Sequence, residues 1–158
     1  MSKLEISRAR QAAKPGVSVL PESDYGTTRV EIISKIAETA ALLEGRLPIY
    51  SGNDDQIIPV LSLGGKGVIS VLSHVIPKET HNMVQYCLDN NLAEATKLQI
   101  DYLDLINNLF IEVNPIPVKE AMNMMGMNVG ECRLPLYKMT DAARETLYNT
   151  LAKHGLVK

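Results

Sequence analysis

Residues 50–73, YSGNDDQIIPVLSLGGKGVISVLS, constrain the fold more than any other stretch. Leu47–Tyr50 reads as the end of a strand. Ser51-Gly52-Asn53-Asp54 is polar and breaks it. Ile57, Ile58 and Leu61 recur at helical spacing. Gly64-Gly65 stops that helix where a left-handed residue is wanted. Val68, Ile69, Val71 and Leu72 then form an apolar, β-rich run, which suits a strand buried on both faces, as in parallel sheets. Two strands joined by a helix make a βαβ unit. Ligands gather at the carboxyl ends of strands in such folds, so Gly52, Asn53 and Ser73 fall near any site.

The rest of the chain supports an α/β protein with a helical extension. At 158 residues it is long enough for one domain with a sizeable core. Thr28-Arg29-Val30-Glu31 reads as a capping box, opening a helix to about Leu43 with Val30, Ile33, Ala37 and Ala40 on one face and Gly45 at its end. Val17–Leu20 suits a short strand and Pro21–Gly26 a loop. After Ser73 the pattern is helical. Pro77 opens a helix with a stripe of Met83, Val84, Cys87 and Leu88, and Asn90-Asn91 turns the chain. A long helix is expected from Leu92 to about Phe110, with Ala95, Leu103, Ile106 and Phe110 inward. Asn114-Pro115 caps another, with Ala121, Met122 and Met125 apolar and Gly126 at its end. Residues 127–138 read as a loop. Thr140 caps a last helix to Lys153, ended by Gly155.

Several function classes are disfavoured. Net charge is −2, and no basic stripe with interleaved aromatics suggests nucleic acid as a partner. No apolar run approaches a membrane span, and the N-terminus lacks the apolar core of a secretory signal. Cys87 and Cys132 are isolated and read as reduced thiols of a cytoplasmic protein. GGKG at 64–67 precedes a strand, whereas a phosphate loop opens a helix, so its glycines read as a helix terminator. Asn53, Asp54 and Asp55 suit the start of a helix better than a metal site. His74, His81 and His154 share no ligand spacing, and no metal or cofactor is expected. Met122, Met124, Met125 and Met127 read as adaptable core or interface filling. These features yield no reaction.

A resemblance goes further. SGNDDQIIPVLSLGGKGVISVLSHVIPKE resembles the segment spanning the last two barrel strands of the dihydrodipicolinate synthase family, and FIEVNPIPVKEAMNMMG with ECRLPLYKM resembles that family's C-terminal helical region. It covers about residues 30–158. NPIPVK with RLPL favours the synthases over the related N-acetylneuraminate lyases. The resemblance implies a partial (β/α)8 TIM barrel, its last two or three β/α units, over residues 30–76, followed by an all-helical region over 77–158. Residues 1–29 look foreign to the family.

The family's reaction joins pyruvate to aspartate semialdehyde in the diaminopimelate route to lysine, through a Schiff base on a barrel lysine, in a homotetramer. The resemblance places Gly52 and Asn53 at pyruvate-pocket positions, and Ile69 where a backbone carbonyl faces pyruvate. No catalytic residue of the family falls in the chain. At the lysine's position, strand matching gives Leu20 and gapless counting gives Thr27; neither forms an imine, and Lys14 and Lys35 lie off that position. A complete barrel takes typically about 250 residues. The expectation is therefore a C-terminal fragment or derivative that is inactive alone and associates with itself or with a missing barrel half. The alternative is a non-catalytic oligomerising or regulatory scaffold.

Overall fold

The computed structural model describes residues 29–157. The expected strand at Val17–Leu20, the loop at Pro21–Gly26, Thr28 of the capping box, and Lys14, Leu20 and Thr27 lie outside those residues. So do the side chains of Val30 and Glu31. The chain divides into two compact units after Lys35. The first lies mostly outside the described residues; the second holds every element except the start of the first helix.

Helix α1, Arg29–Leu43, ends where Glu44 and Gly45 both take positive φ, 48° and 74°. Arg46 folds back and donates to the Leu43 and Leu42 carbonyls at 3.2 and 2.9 Å, satisfying acceptors that a helix end leaves open. The expected apolar face is shifted: Ile33 and Ala37 are exposed, and Ile36, Ala40 and Leu43 are half-buried. The reason is local, because Ala40 and Leu43 line a cavity of about 370 Å³ with Leu47, Ile49 and Leu63.

The βαβ unit forms in the expected order, but its first strand falls later than expected: residues 47–49 lie outside it, and Ser51, expected to break it, belongs to it. Strand β1 is Tyr50–Ser51, helix α2 is Ile57–Ser62, and strand β2 is Gly67–Val68. The strands run parallel, Tyr50 opposite Gly67 and Ser51 opposite Val68. Gly64 holds φ +91°, the left-handed conformation that ends α2. Gly65 is needed for space: a Cβ there would lie 2.6 Å from Val60 Cγ1 and 2.7 Å from the Val60 carbonyl oxygen.

The second strand is shorter than expected and is not buried on both faces. Ser51 is buried and Val68 packs on the core, but Ile69 is 76% exposed. Leu72 belongs to a 3-10 turn, Leu72–His74. The Asp54 carboxylate takes the Val71 and Leu72 N–H groups, so they cannot join a ladder. Among the described residues nothing layers over Ile69.

Helices α3 (Pro77–Leu88), α4 (Leu92–Asp101), α5 (Leu103–Asn108), α6 (Ile116–Met124) and α7 (Asp141–Lys153) follow. Pro77 sits in the first turn, as its missing N–H allows. Met83 is fully buried, but Leu88 is exposed, because α3 ends there and Asn90 reverses the chain at φ 60°. The long helix expected over 92–110 breaks at Tyr102, whose ψ of 11° lies outside the helical range. The break resets the inward face. Ala95 and Ile106 are buried as expected, Leu103 and Phe110 are exposed, and Leu105 and Leu109 are buried instead.

Two expected caps work differently. No side-chain bond caps α6, and its flanking Asn114–Pro115 peptide is cis. Thr140 occupies the cap position of α7, but its hydroxyl donates to Glu112 Oε1 at 2.6 Å, and its own N–H donates to the same oxygen at 3.1 Å. Gly126 and Gly155 end α6 and the α7 segment at positive φ, as expected. One core joins the unit to the helices: Ile57, Leu61 and Leu72 meet Met83, Leu105, Leu109, Ala121, Leu147 and Leu151.

Candidate functional site

Parallel register brings the predicted residues together. Gly52 follows Ser51 and Ile69 follows Val68, so both leave the carboxyl ends of paired strands. The Ile69 N–H donates to the Ser51 carbonyl at 2.8 Å, one step beyond the ladder. Asn53 is fixed by a small turn. The Ser51 hydroxyl donates to the Asn53 carbonyl at 2.7 Å and accepts from the Asn53 N–H at 3.2 Å. Gly52 and Asn53 are exposed, and a Cβ on Gly52 would meet nothing within 4 Å. Ser73 is half-buried and turned back, its hydroxyl donating to the Ser70 carbonyl.

Asp54 holds this edge in shape. It is 2% exposed, and its Oδ2 accepts from the Val71 and Leu72 N–H groups at 3.0 and 2.9 Å. The carboxylate therefore caps the turn after the other strand, not the helix after its own. Gln99, 8% exposed on α4, donates from Nε2 to the Asp54 carbonyl at 2.9 Å. A side chain from the helical region thus positions the strand-end loop. Asp54 Oδ1 and Gln99 Oε1 are buried acceptors without a protein donor. Sequence reasoning missed both roles. The available signal was Gln99 itself, a polar residue one turn after Ala95 on an inward stripe.

The other candidates do not converge here. Among the described residues no three His, Cys, Asp or Glu side chains gather as metal ligands. Lys66 lies at the opposite strand ends, its N–H donating to the Ile49 carbonyl at 2.8 Å. His81 is exposed, and His74 is exposed with Nδ1 against the Val71 carbonyl. His154 packs its ring on Tyr102 and meets Asp104 Oδ1 at 2.8 Å. Both cysteines are free and half-buried, and burial pushes the Cys87 thiol up. Met122, Met124 and Met125 pack on the core, whereas Met127 is exposed. A cleft of about 570 Å³ lies between α6, the 130–139 loop and α7. Its charges are largely paired: Arg144 with Glu120 at 2.7 Å and Lys138 with Glu131 at 3.1 Å. No helix among the described residues is long and apolar enough to cross a membrane.

A parallel βαβ unit with an exposed strand-end surface, backed by a helical region, defines part of a (β/α) barrel with its C-terminal helices. Residues 27–154 match the dihydrodipicolinate synthetase family, and the chain belongs to that family. The 4-hydroxy-tetrahydrodipicolinate synthase of Caldicellulosiruptor bescii is 48% identical over 153 residues, covering 91% of this chain and 52% of the relative. The Clostridium tetani synthase is 53% identical over 126 residues, covering 80% and 43%. The solved dihydrodipicolinate synthase of Thermotoga maritima superposes with a TM-score of 0.76 at 38% identity, covering 79% of this chain and 43% of that one. That of Aquifex aeolicus gives 0.76 at 37%, covering 78% and 42%. The chain spans about half the length of the curated relatives it matches.

Proposed function

We propose that the surface formed by Gly52, Asn53 and Ile69 is one wall of a pyruvate site, in an assembly that condenses pyruvate with aspartate semialdehyde for lysine biosynthesis by the diaminopimelate route. The observation carrying this reading is the meeting of Gly52 and Ile69 at the carboxyl ends of adjacent parallel strands. Barrel enzymes place their chemistry at that end. Gly52 leaves its surroundings open, as close approach of a ligand to backbone requires. Residues 30–76 supply the barrel part and residues 77–158 the helical support. The working assembly is cytoplasmic and oligomeric.

The imine itself forms on a lysine that this chain does not supply. The resemblance puts Leu20, or on gapless counting Thr27, at the position that carries it in the family. An exposed lysine, with a pKa near ~10.4, is almost wholly protonated at neutral pH. Activation needs a desolvated or electropositive pocket. Incubation with pyruvate, borohydride reduction and intact-mass measurement test this directly. The expected result is no stoichiometric adduct on the chain alone, and adduct on an intact relative treated alongside. One fully labelled lysine in this chain would contradict it.

The second reading, a scaffold without catalysis, is favoured by the same missing lysine. It predicts no effect of Gly52 substitution on any turnover of the assembly.

A further inference from the structure

We propose that buried oxygens of Asp54 and Gln99 form a site for a monovalent cation, whether sodium, potassium or ammonium, behind the strand-end loops. The proposal does not rest on the pyruvate reading. Asp54 is 2% exposed and Gln99 8% exposed. Each keeps one buried acceptor, Asp54 Oδ1 and Gln99 Oε1, that receives no donor from the protein. The two belong to one place. Gln99 Nε2 donates to the Asp54 carbonyl at 2.9 Å. Oε1 shares its carbon with Nε2, and Oδ1 belongs to the residue whose carbonyl is held. Both oxygens therefore lie beside the same peptide group, and its carbonyl has a second lone pair to offer.

Charge decides between a cation and a water molecule. Asp54 Oδ2 takes the Val71 and Leu72 N–H groups at 3.0 and 2.9 Å, which satisfies that oxygen but brings no positive charge. Among the described residues no Lys, Arg or His forms an ion pair with Asp54. Buried charges are paired or coordinate metals, because an isolated carboxylate pays heavily for leaving water. Water would donate to the two acceptors and leave the charge as it is. A cation meets the oxygens and balances the charge.

The donor set selects the class of ion. A carboxylate, an amide and a carbonyl oxygen are hard ligands, which do not suit metals that prefer thiolate or imidazole. Calcium and magnesium sites draw on more carboxylates, or on phosphates, and among the described residues no three His, Cys, Asp or Glu side chains gather. One carboxylate balances one positive charge. The ion would hold α4 to the loop that Asp54 ties to Val71 and Leu72, so its binding is read as stability.

The experiment melts the full chain, followed by circular dichroism, in the chlorides of tetramethylammonium, sodium, potassium and ammonium at equal ionic strength. Tetramethylammonium carries the same charge but is too bulky for a site between buried oxygens. At least one small ion is expected to raise the melting temperature by about 3 °C or more above the tetramethylammonium value, saturating as a single site does. Asp54→Asn keeps the shape and removes the charge, and Gln99→Met removes the amide oxygen. Each should abolish the difference between the ions, and where one fails to fold the other carries the comparison. Asp55→Asn, on the half-buried neighbour, should retain the difference. Equal melting of the parent in all four salts would leave a bound water only and overturn the proposal. An ion effect that survives in Asp54→Asn or Gln99→Met would place the ion elsewhere and overturn it too.

Discussion

The Asp54 carboxylate reaches across seventeen residues to receive the Val71 N–H, and the Leu72 N–H beside it. The loop after one strand is thereby fastened to the loop after its neighbour. Hydrogen bonds to charged groups contribute roughly 1.5–3 kcal/mol each, and loss of this acceptor leaves two backbone donors without a partner. Asp54→Ala should therefore lower stability by about 2–4 kcal/mol in urea unfolding. Asp54→Asn, which keeps one acceptor oxygen, should cost less. A loss within ~0.5 kcal/mol for the alanine variant would show that the carboxylate is not holding the loops.

Gly65 and Gly52 should respond oppositely to added atoms. Gly65→Ala places a methyl against Val60 at 2.6 Å and should cost about 1–3 kcal/mol by overpacking. Gly52→Ala enters open space and should stay within about 0.5 kcal/mol of the parent. Thermal melts of the two variants check this. Equal losses would mean that the strand-end surface is more tightly enclosed than its geometry shows.

Much of the fold was legible because local signals agreed. Gly64, Gly126 and Gly155 end their segments where helix-stop chemistry placed them, and the βαβ order follows from residues 50–73. The failures have physical causes. A single apolar period was carried through Tyr102, where the helix breaks and the inward face passes to Leu105 and Leu109. Val68–Leu72 looked like a fully buried strand, yet burial on the second face depends on neighbours that no local pattern encodes. The grouping of Gly52, Asn53 and Ile69 follows from register. The clamp through Asp54 and Gln99 spans 45 residues, and its one local sign is a polar residue on the inward stripe of α4.

The helical region should be sensitive at its centre and tolerant at its loop. Leu147 and Leu134 are 0% and 83% exposed. Leu147→Ala should cost about 2–5 kcal/mol by leaving a cavity, whereas Leu134→Ala should be nearly neutral. Matching midpoints in a urea titration would contradict the shared core.

Asp104 should make acid unfolding depend on one contact between α5 and the end of α7. Burial raises its pKa, but hydrogen bonds from Lys153 at 2.6 Å and His154 at 2.8 Å outweigh that and hold it down at about 2, from 3.8. A carboxylate with a depressed folded pKa contributes stability that is present above its unfolded value and lost as pH falls through the folded one. The contribution should be complete above about pH 5 and vanish progressively toward pH 2. Asp104→Asn should flatten the fall in melting temperature across that window. The side chain is partly exposed, so added salt should shrink the effect. An unchanged acid profile in the variant would remove Asp104 from the account.

Turnover by this chain co-expressed with the amino-terminal half of the Caldicellulosiruptor bescii synthase, supplied with pyruvate and aspartate semialdehyde, tests the proposed pyruvate wall most directly. Gly52 lies at the strand carboxyl ends, where a larger side chain would enter the proposed pyruvate wall, and Lys66 lies at the opposite ends. The account predicts turnover by the parent complex, its loss with Gly52→Val, and its retention with Lys66→Ala. Equal turnover by the Gly52→Val and parent complexes, or equal loss in both variants, would contradict it.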